Sequence, residues 1–116
     1  MSNSGSVRNV EQVFGHHLSA FAEGIESILS DYTESSTLIT PDRTYVGLAE
    51  IRQFFQAFLQ NASSEFWSAF KVLKREVAGE IAYLTWSAPP FVVMATDTFW
   101  IPRGVIVTQT YTPFAK

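Results

Sequence analysis

The chain changes its hydrophobic period near the middle, and that change restricts it to very few architectures. In the first half, Val10, Phe14, Leu18 and Phe21, with Val7 and Val13 beside them, share one face of a helix. Gly24 supplies the left-handed stop after it. Ile25, Ile28, Leu29 and Tyr32 give a second, short helical stripe. A β-branched run at 37–40 leads into the turn Pro41-Asp42-Arg43. After Gly47, the residues Leu48, Ile51, Phe54, Phe55, Phe58 and Leu59 mark a third helix that closes near Asn61. From there the pattern is that of strands. Segments 65–78, 80–88, 91–101 and 105–112 are rich in β-branched and aromatic residues. Gly79, Pro89-Pro90 and Pro102-Arg103-Gly104 separate them into an antiparallel meander. Helices first and strands after predicts an α+β fold with three N-terminal helices on one face of the sheet.

Length allows one such unit. The 116 residues read as a polar tail at 1–6 and a single domain at 7–116. With no cysteine, disulfide frameworks, zinc ribbons and thiol nucleophiles are excluded. Eight basic against eleven acidic residues leave no positive excess for phosphates, so no nucleic-acid partner is expected. The densest basic group, Lys71, Lys74 and Arg75, reads as a solvated strand end. No apolar run approaches the ~18 residues of a membrane span. The opening residues lack the charged-then-apolar order of a secretion signal, so the expected compartment is the cytoplasm. Charged residues make up 16%, against a usual ~25%, while aromatics reach 15%. That is more apolar surface than one small core needs, and it predicts a lined pocket, a subunit interface, or both.

The last hairpin predicts which side chains share a face. A three-residue loop at Pro102-Arg103-Gly104 pairs Ile101 with Val105, Phe99 with Val107, Asp97 with Gln109 and Ala95 with Tyr111. Those residues then face the helices. Thr96, Thr98, Trp100, Ile106, Thr108, Thr110 and Thr112 take the other face, toward solvent or a second subunit.

Two polar residues fall on the apolar side. Asp97 lies mid-strand, where Asp is rare, and loss of hydration should raise its pKa. It is either an acid/base group or a hydrogen-bonded structural carboxyl. His17 lies on the buried stripe of the first helix, as an acid/base imidazole or a structural one, whereas His16 points toward water. Asp31 and Asp42 read as solvated. Tyr32, Phe54, Phe55, Phe58 and Leu84 are individually core residues, as are Trp86, Phe99, Gln109 and Tyr111. Together they describe the wall of a small apolar cavity. Two histidines without a matched carboxylate pair predict no metal. The absence of a Gly-rich phosphate loop and of a nucleophile elbow predicts no nucleotide cofactor and no serine-hydrolase chemistry.

Several pieces in order carry a resemblance. They are Ala20-Phe21-Ala22-Glu23-Gly24, Asp31-Tyr32-Thr33-Glu34, Leu38-Ile39-Thr40-Pro41 and the segment from Tyr45 to Phe55. Ala82-Tyr83-Leu84-Thr85-Trp86, Thr96-Asp97-Thr98-Phe99 and Gly104-Val105-Ile106-Val107 complete the set. Over about residues 10–112 the chain resembles the SnoaL-like branch of the nuclear transport factor 2-like superfamily. The resemblance implies a cone-shaped roll, three helices on a curved antiparallel sheet, with a pocket between them and homodimers formed through the outer sheet face. It also places Asp97 at the acid position of ketosteroid isomerase. The oxyanion-hole tyrosine of that enzyme maps to His17, or to His16 if the helix register slips. Thr40 stands where the isomerase has its general-base Asp, so that acid–base pair is broken, and Thr40 becomes a wall residue instead. The expected function is binding of a small apolar molecule, with possible isomerase, cyclase or lyase-type acid/base chemistry. The alternatives are a non-catalytic binder and a dimerisation or scaffold module with a side-chain-filled pocket.

Overall fold

Asn9 starts the first helix, α1 (Val10–Ala20), with a capping box: its side chain accepts from the Gln12 backbone N–H, and its own N–H donates to the Gln12 side chain. The computed structural model describes residues 7–115, and the tail expected at residues 1–6 lies outside them. α1 buries Val13, Phe14, His17 and Ala20, while Val10, Leu18 and Phe21 pack along the margin of that stripe. A short α2 (Ile25–Leu29) follows Gly24. β1 (Thr37–Ile39) and β2 (Thr44–Val46) form a small hairpin, and α3 (Gly47–Asn61) buries Ile51 and Phe55.

Where a single strand was expected over 65–78, the chain first makes a further helix, α4 (Ser64–Ala69), and only then β3 (Lys71–Ala78). The Ser63 side chain accepts from the Phe66 N–H and nucleates this turn. Phe66 packs into the core beside Phe58 and Trp86, an anchor that overrides the local preference of the aromatic run for strand. Among the described residues, α4 thus joins the three expected helices over the sheet. β4 (Ile81–Ala88), β5 (Val92–Trp100) and β6 (Thr108–Phe114) complete the meander.

The sheet has six strands in the order β2-β1-β6-β5-β4-β3. It is mixed, because β1 runs parallel to β6 while the other neighbours are antiparallel. Register shifts between Val72 and Lys74 and between Trp86 and Ala88 bend the strands. The core lies between the helices and the inner face, around Phe14, Ile28, Leu38, Ile51, Phe99 and Ile101.

The β5–β6 hairpin departs from the expected register by two residues. Asp97 pairs with Tyr111, Phe99 with Gln109 and Trp100 with Thr108. An even shift leaves every strand side chain on its expected face. It also lengthens the connection to 101–107, and the reason is visible in the backbone. The Ile106 N–H donates to the Asp31 carbonyl, and the Ile106 carbonyl accepts from the Ser36 hydroxyl. Ile106 is drawn into the core and fully buried, not placed on the outer face with the threonines. The outer face proper carries Thr96, Thr98, Thr110 and Thr112, with Trp100, Ile39 and Val46 exposed among them. Among the described residues, no helix is long and apolar enough to cross a membrane.

Candidate functional site

A cavity of about 330 Å3 opens between the helices and the inner face of the sheet. From the helices, His17, Phe54, Phe55 and Phe58 line it. From the sheet come Leu84, Trp86, Asp97, Phe99, Gln109 and Tyr111. These positions follow from alternation: Leu84 pairs with Asp97 and Asp97 with Tyr111, so one row of inward residues crosses the three strands.

Asp97 is 6% exposed and fully partnered. Its Oδ2 accepts from Trp86 Nε1 at 3.0 Å and its Oδ1 from Gln109 Nε2 at 2.9 Å. The other end of the Gln109 amide accepts from the Tyr32 hydroxyl, which fixes which way that amide points. Burial raises the Asp97 pKa, while the two donors and the nearby His17 pull it back, leaving it at about 6. A carboxyl poised there exchanges its proton near neutral pH. Burial, and then the charge of Asp97, push the Tyr111 phenol well up, so it stays neutral. Its ring stacks on Trp86 with planes 6° apart.

His17 is 2% exposed and enclosed by the rings of Phe21, Tyr32, Phe55 and Phe99. Its Nδ1 has no hydrogen-bond partner among the described residues and lies 3.6 Å from Asp31 Oδ2. Of the two adjacent histidines it is His17 that lines the cavity. His16 instead places Nδ1 2.8 Å from both Asp31 oxygens.

Asp31 is therefore not the solvated residue its position at a helix end suggests. It is fully buried, and Arg8 Nη1 joins it at 3.1 Å. Burial pushes its carboxyl up, but the two imidazoles outweigh that and hold it below the ordinary range. This cluster is invisible to local reading, since its members come from residues 8, 16, 17 and 31. Among the described residues, no three histidine or carboxylate side chains gather into a set able to hold a metal ion.

Two expected wall residues stand elsewhere. Tyr32 is buried behind the wall, with its hydroxyl on Gln109. Thr40 lies in the β1–β2 turn, where its hydroxyl donates to the Arg43 carbonyl at 2.8 Å and stays outside the cavity. Strand β1 ends at Ile39, so the chain has already turned away. Conversely, Leu18, Phe21, Trp67, Phe70, Val72 and Arg75 line the cavity beyond the residues expected from sequence. In sequence Arg75 belongs to the basic group expected at a solvated strand end. Once the strand is confined to 71–78, alternation puts Arg75 inward, opposite Leu84.

No protein-family model matches the sequence, and no curated protein sequence matches it. Solved structures do match. A nuclear transport factor 2-like protein of unknown function from Cytophaga hutchinsonii superposes with a TM-score of 0.71 at 13% identity, covering 98% of this chain and 95% of that one. A SnoaL-like protein of unknown function from Burkholderia thailandensis gives 0.71 at 13%, over 91% and 95%. A provisionally assigned polyketide cyclase from Sinorhizobium meliloti gives 0.70 at 17%, over 86% and 93%. At such identities the likeness establishes the fold, nuclear transport factor 2-like with a SnoaL-like example, and nothing of the activity.

The raised Asp97 pKa has a stability consequence. The folded state holds this proton more tightly than the unfolded one. Asp97 thus favours folding below the ordinary carboxyl value, and loses that contribution as pH rises through about 6. Asp97→Asn is neutral throughout. Relative to wild type it should gain stability between about pH 4 and about pH 7, by up to about 3 kcal/mol before any lost hydrogen bond is subtracted. Thermal melts of both proteins across that range measure the difference; profiles that stay parallel would contradict it.

Proposed function

We propose that the cavity binds a small apolar molecule and that Asp97 accepts and returns a proton on it, with His17 as the second polar group. The observation that carries this reading is a carboxylate almost wholly out of water, with a pKa of about 6, set in a cavity otherwise walled mainly by aromatic rings. Trp86 and Gln109 hold both oxygens in place, so little reorganisation accompanies proton transfer. The Tyr111 hydroxyl is a neutral group able to donate to a developing oxyanion. Open space of about 330 Å3 favours ligand binding over a side-chain-filled scaffold. Isomerase, cyclase and lyase reactions all begin with this kind of proton movement, and a provisionally assigned cyclase shares the fold. The two-carboxylate arrangement of ketosteroid isomerase is not the model for it, because Thr40 offers a hydroxyl already spent in a turn.

Exchange of the α-protons of 2-tetralone in deuterated water tests the chemistry without knowledge of the natural substrate. Wild type should accelerate exchange above buffer, and Asp97→Asn should lower that rate by about 10²–10⁴-fold while still binding the ketone. No acceleration by wild type, or equal rates for both proteins, would remove Asp97 as the proton carrier.

We further propose a homodimer through the outer sheet face, in a cytoplasmic protein. That face is threonine-rich and leaves Trp100 42% exposed beside Ile39 and Val46; the Trp100 Nε1 donates to Glu80 at 3.0 Å, and Lys74 and Glu76 pair at the β3 edge. Partly exposed aromatic rings beside apolar residues are enriched in protein interfaces. Light scattering at tens of micromolar should give a dimer for wild type and a monomer for Trp100→Glu. A monomeric wild type at that concentration contradicts the proposal.

A further inference from the structure

Among the described residues that line the cavity, Arg75 carries the one permanent positive charge. Arg75 is on β3, the edge strand, and its side chain is 47% exposed, so it stands where the cavity meets solvent. It belongs to the same inward row as the buried carboxylate: Arg75 pairs with Leu84, Leu84 with Asp97, and Asp97 with Tyr111. Neighbouring strands lie about 4.8 Å apart. Two such steps set the Arg75 and Asp97 backbones about 10 Å apart, with the apolar Leu84 between them.

The guanidinium is positioned without being used up. Its Cζ sits 4.9 Å from the centre of the Phe14 ring, a cation–π contact that orients the planar group. The other partner is Glu11, whose Oε1 lies 4.0 Å from Nη2 on a side chain that is itself mostly exposed. An ion pair that long and that wet contributes little and yields readily to another anion. Among the described residues no hydrogen bond engages the Arg75 side chain. An arginine in this setting presents a planar fork of donors matched to a carboxylate.

We infer that the ligand is an elongated amphipathic acid, bound with its anionic group on Arg75 at the mouth and its apolar body over Leu84, so that the reacting carbon reaches Asp97. This rests on the ligand-binding reading above and adds the ligand's charge and its direction of entry. The polarity follows from the two ends of the row. A carboxylate ligand head is repelled by Asp97 and attracted by Arg75, so it stays at the mouth, while the uncharged end faces the proton carrier. The two backbones are about 10 Å apart across the strands, so a probe of roughly two linked rings is of the scale to test.

Calorimetric titration with biphenyl-4-carboxylate and its neutral isostere biphenyl-4-carboxamide tests the inference. Wild type should bind the carboxylate about tenfold or more tighter than the amide, the range of one charge-assisted hydrogen-bond pair. Arg75→Gln should bring the two affinities together, with the loss falling mainly on the carboxylate, and Arg75→Lys should retain part of the preference. Equal affinities in wild type overturn the inference, as does a preference that survives in Arg75→Gln; in both cases the cavity still binds and the broader reading stands. Failure of both probes to bind wild type overturns the ligand-binding reading and this inference with it.

Discussion

Asp31 carries its charge with no access to water, and the arrangement of the N-terminal half turns on satisfying it. An unpaired carboxylate in that position would cost several kcal/mol. Arg8 ahead of α1 and His16 on α1 supply the pairing, and the Ile106 N–H on the β5–β6 connection binds the Asp31 carbonyl. Arg8 also donates to the Gly104 carbonyl at 3.0 Å, which ties the same connection a second time. One residue thereby joins the chain start, two helices and the loop between the last strands. Removing Arg8 or His16 leaves the buried charge short of a partner, at a cost below the ~3–5 kcal/mol of a fully buried pair because both partners are about a third exposed.

The same knot sets the site. His16 and His17 are adjacent on α1, so their side chains diverge by about 100°. With His16 committed to Asp31, α1 is rotated so that His17 turns inward among four aromatic rings. Its Nδ1 edge faces Asp31, which leaves Nε2 as the nitrogen available to an occupant of the cavity. On the sheet side, Asp97 is balanced differently. Desolvation works against its charge, and Trp86 and Gln109 support it. Asp31 and Asp97 are thus two buried carboxyls driven apart in acidity by their surroundings. The one with imidazole partners stays ionised as a structural group, and the one among aromatic rings titrates near neutrality.

The parts of this arrangement visible in the sequence are those governed by local periodicity. The stripes of α1 and α3 and the inward side of β5 follow from spacing alone. The inward placement of Asp97, Phe99, Gln109 and Tyr111 survives a register error because the error is even. What the sequence conceals depends on contacts between distant segments. The burial of Asp31 requires Arg8 and the 104–107 loop, and no pattern near residue 31 announces them. Ile106 alternates like an outer-face residue until its backbone is drawn to Asp31 and Ser36. Arg75 looks like part of a wet basic cluster until α4 ends at Ala69 and fixes the phase of β3. Thr40 matches a wall position only by resemblance, and the three-residue length of β1 takes it out of reach.

A proton carrier at Asp97 must hold its proton near neutrality in a wall made mainly of aromatic rings. Carbon-detected NMR titration of its side-chain carboxyl measures that directly, with Asp97→Asn identifying the resonance. The expected midpoint is near 6. A midpoint at or below the ordinary carboxyl value of 3.8 would show an ionised structural Asp held by Trp86 and Gln109, and would contradict its role as the proton carrier.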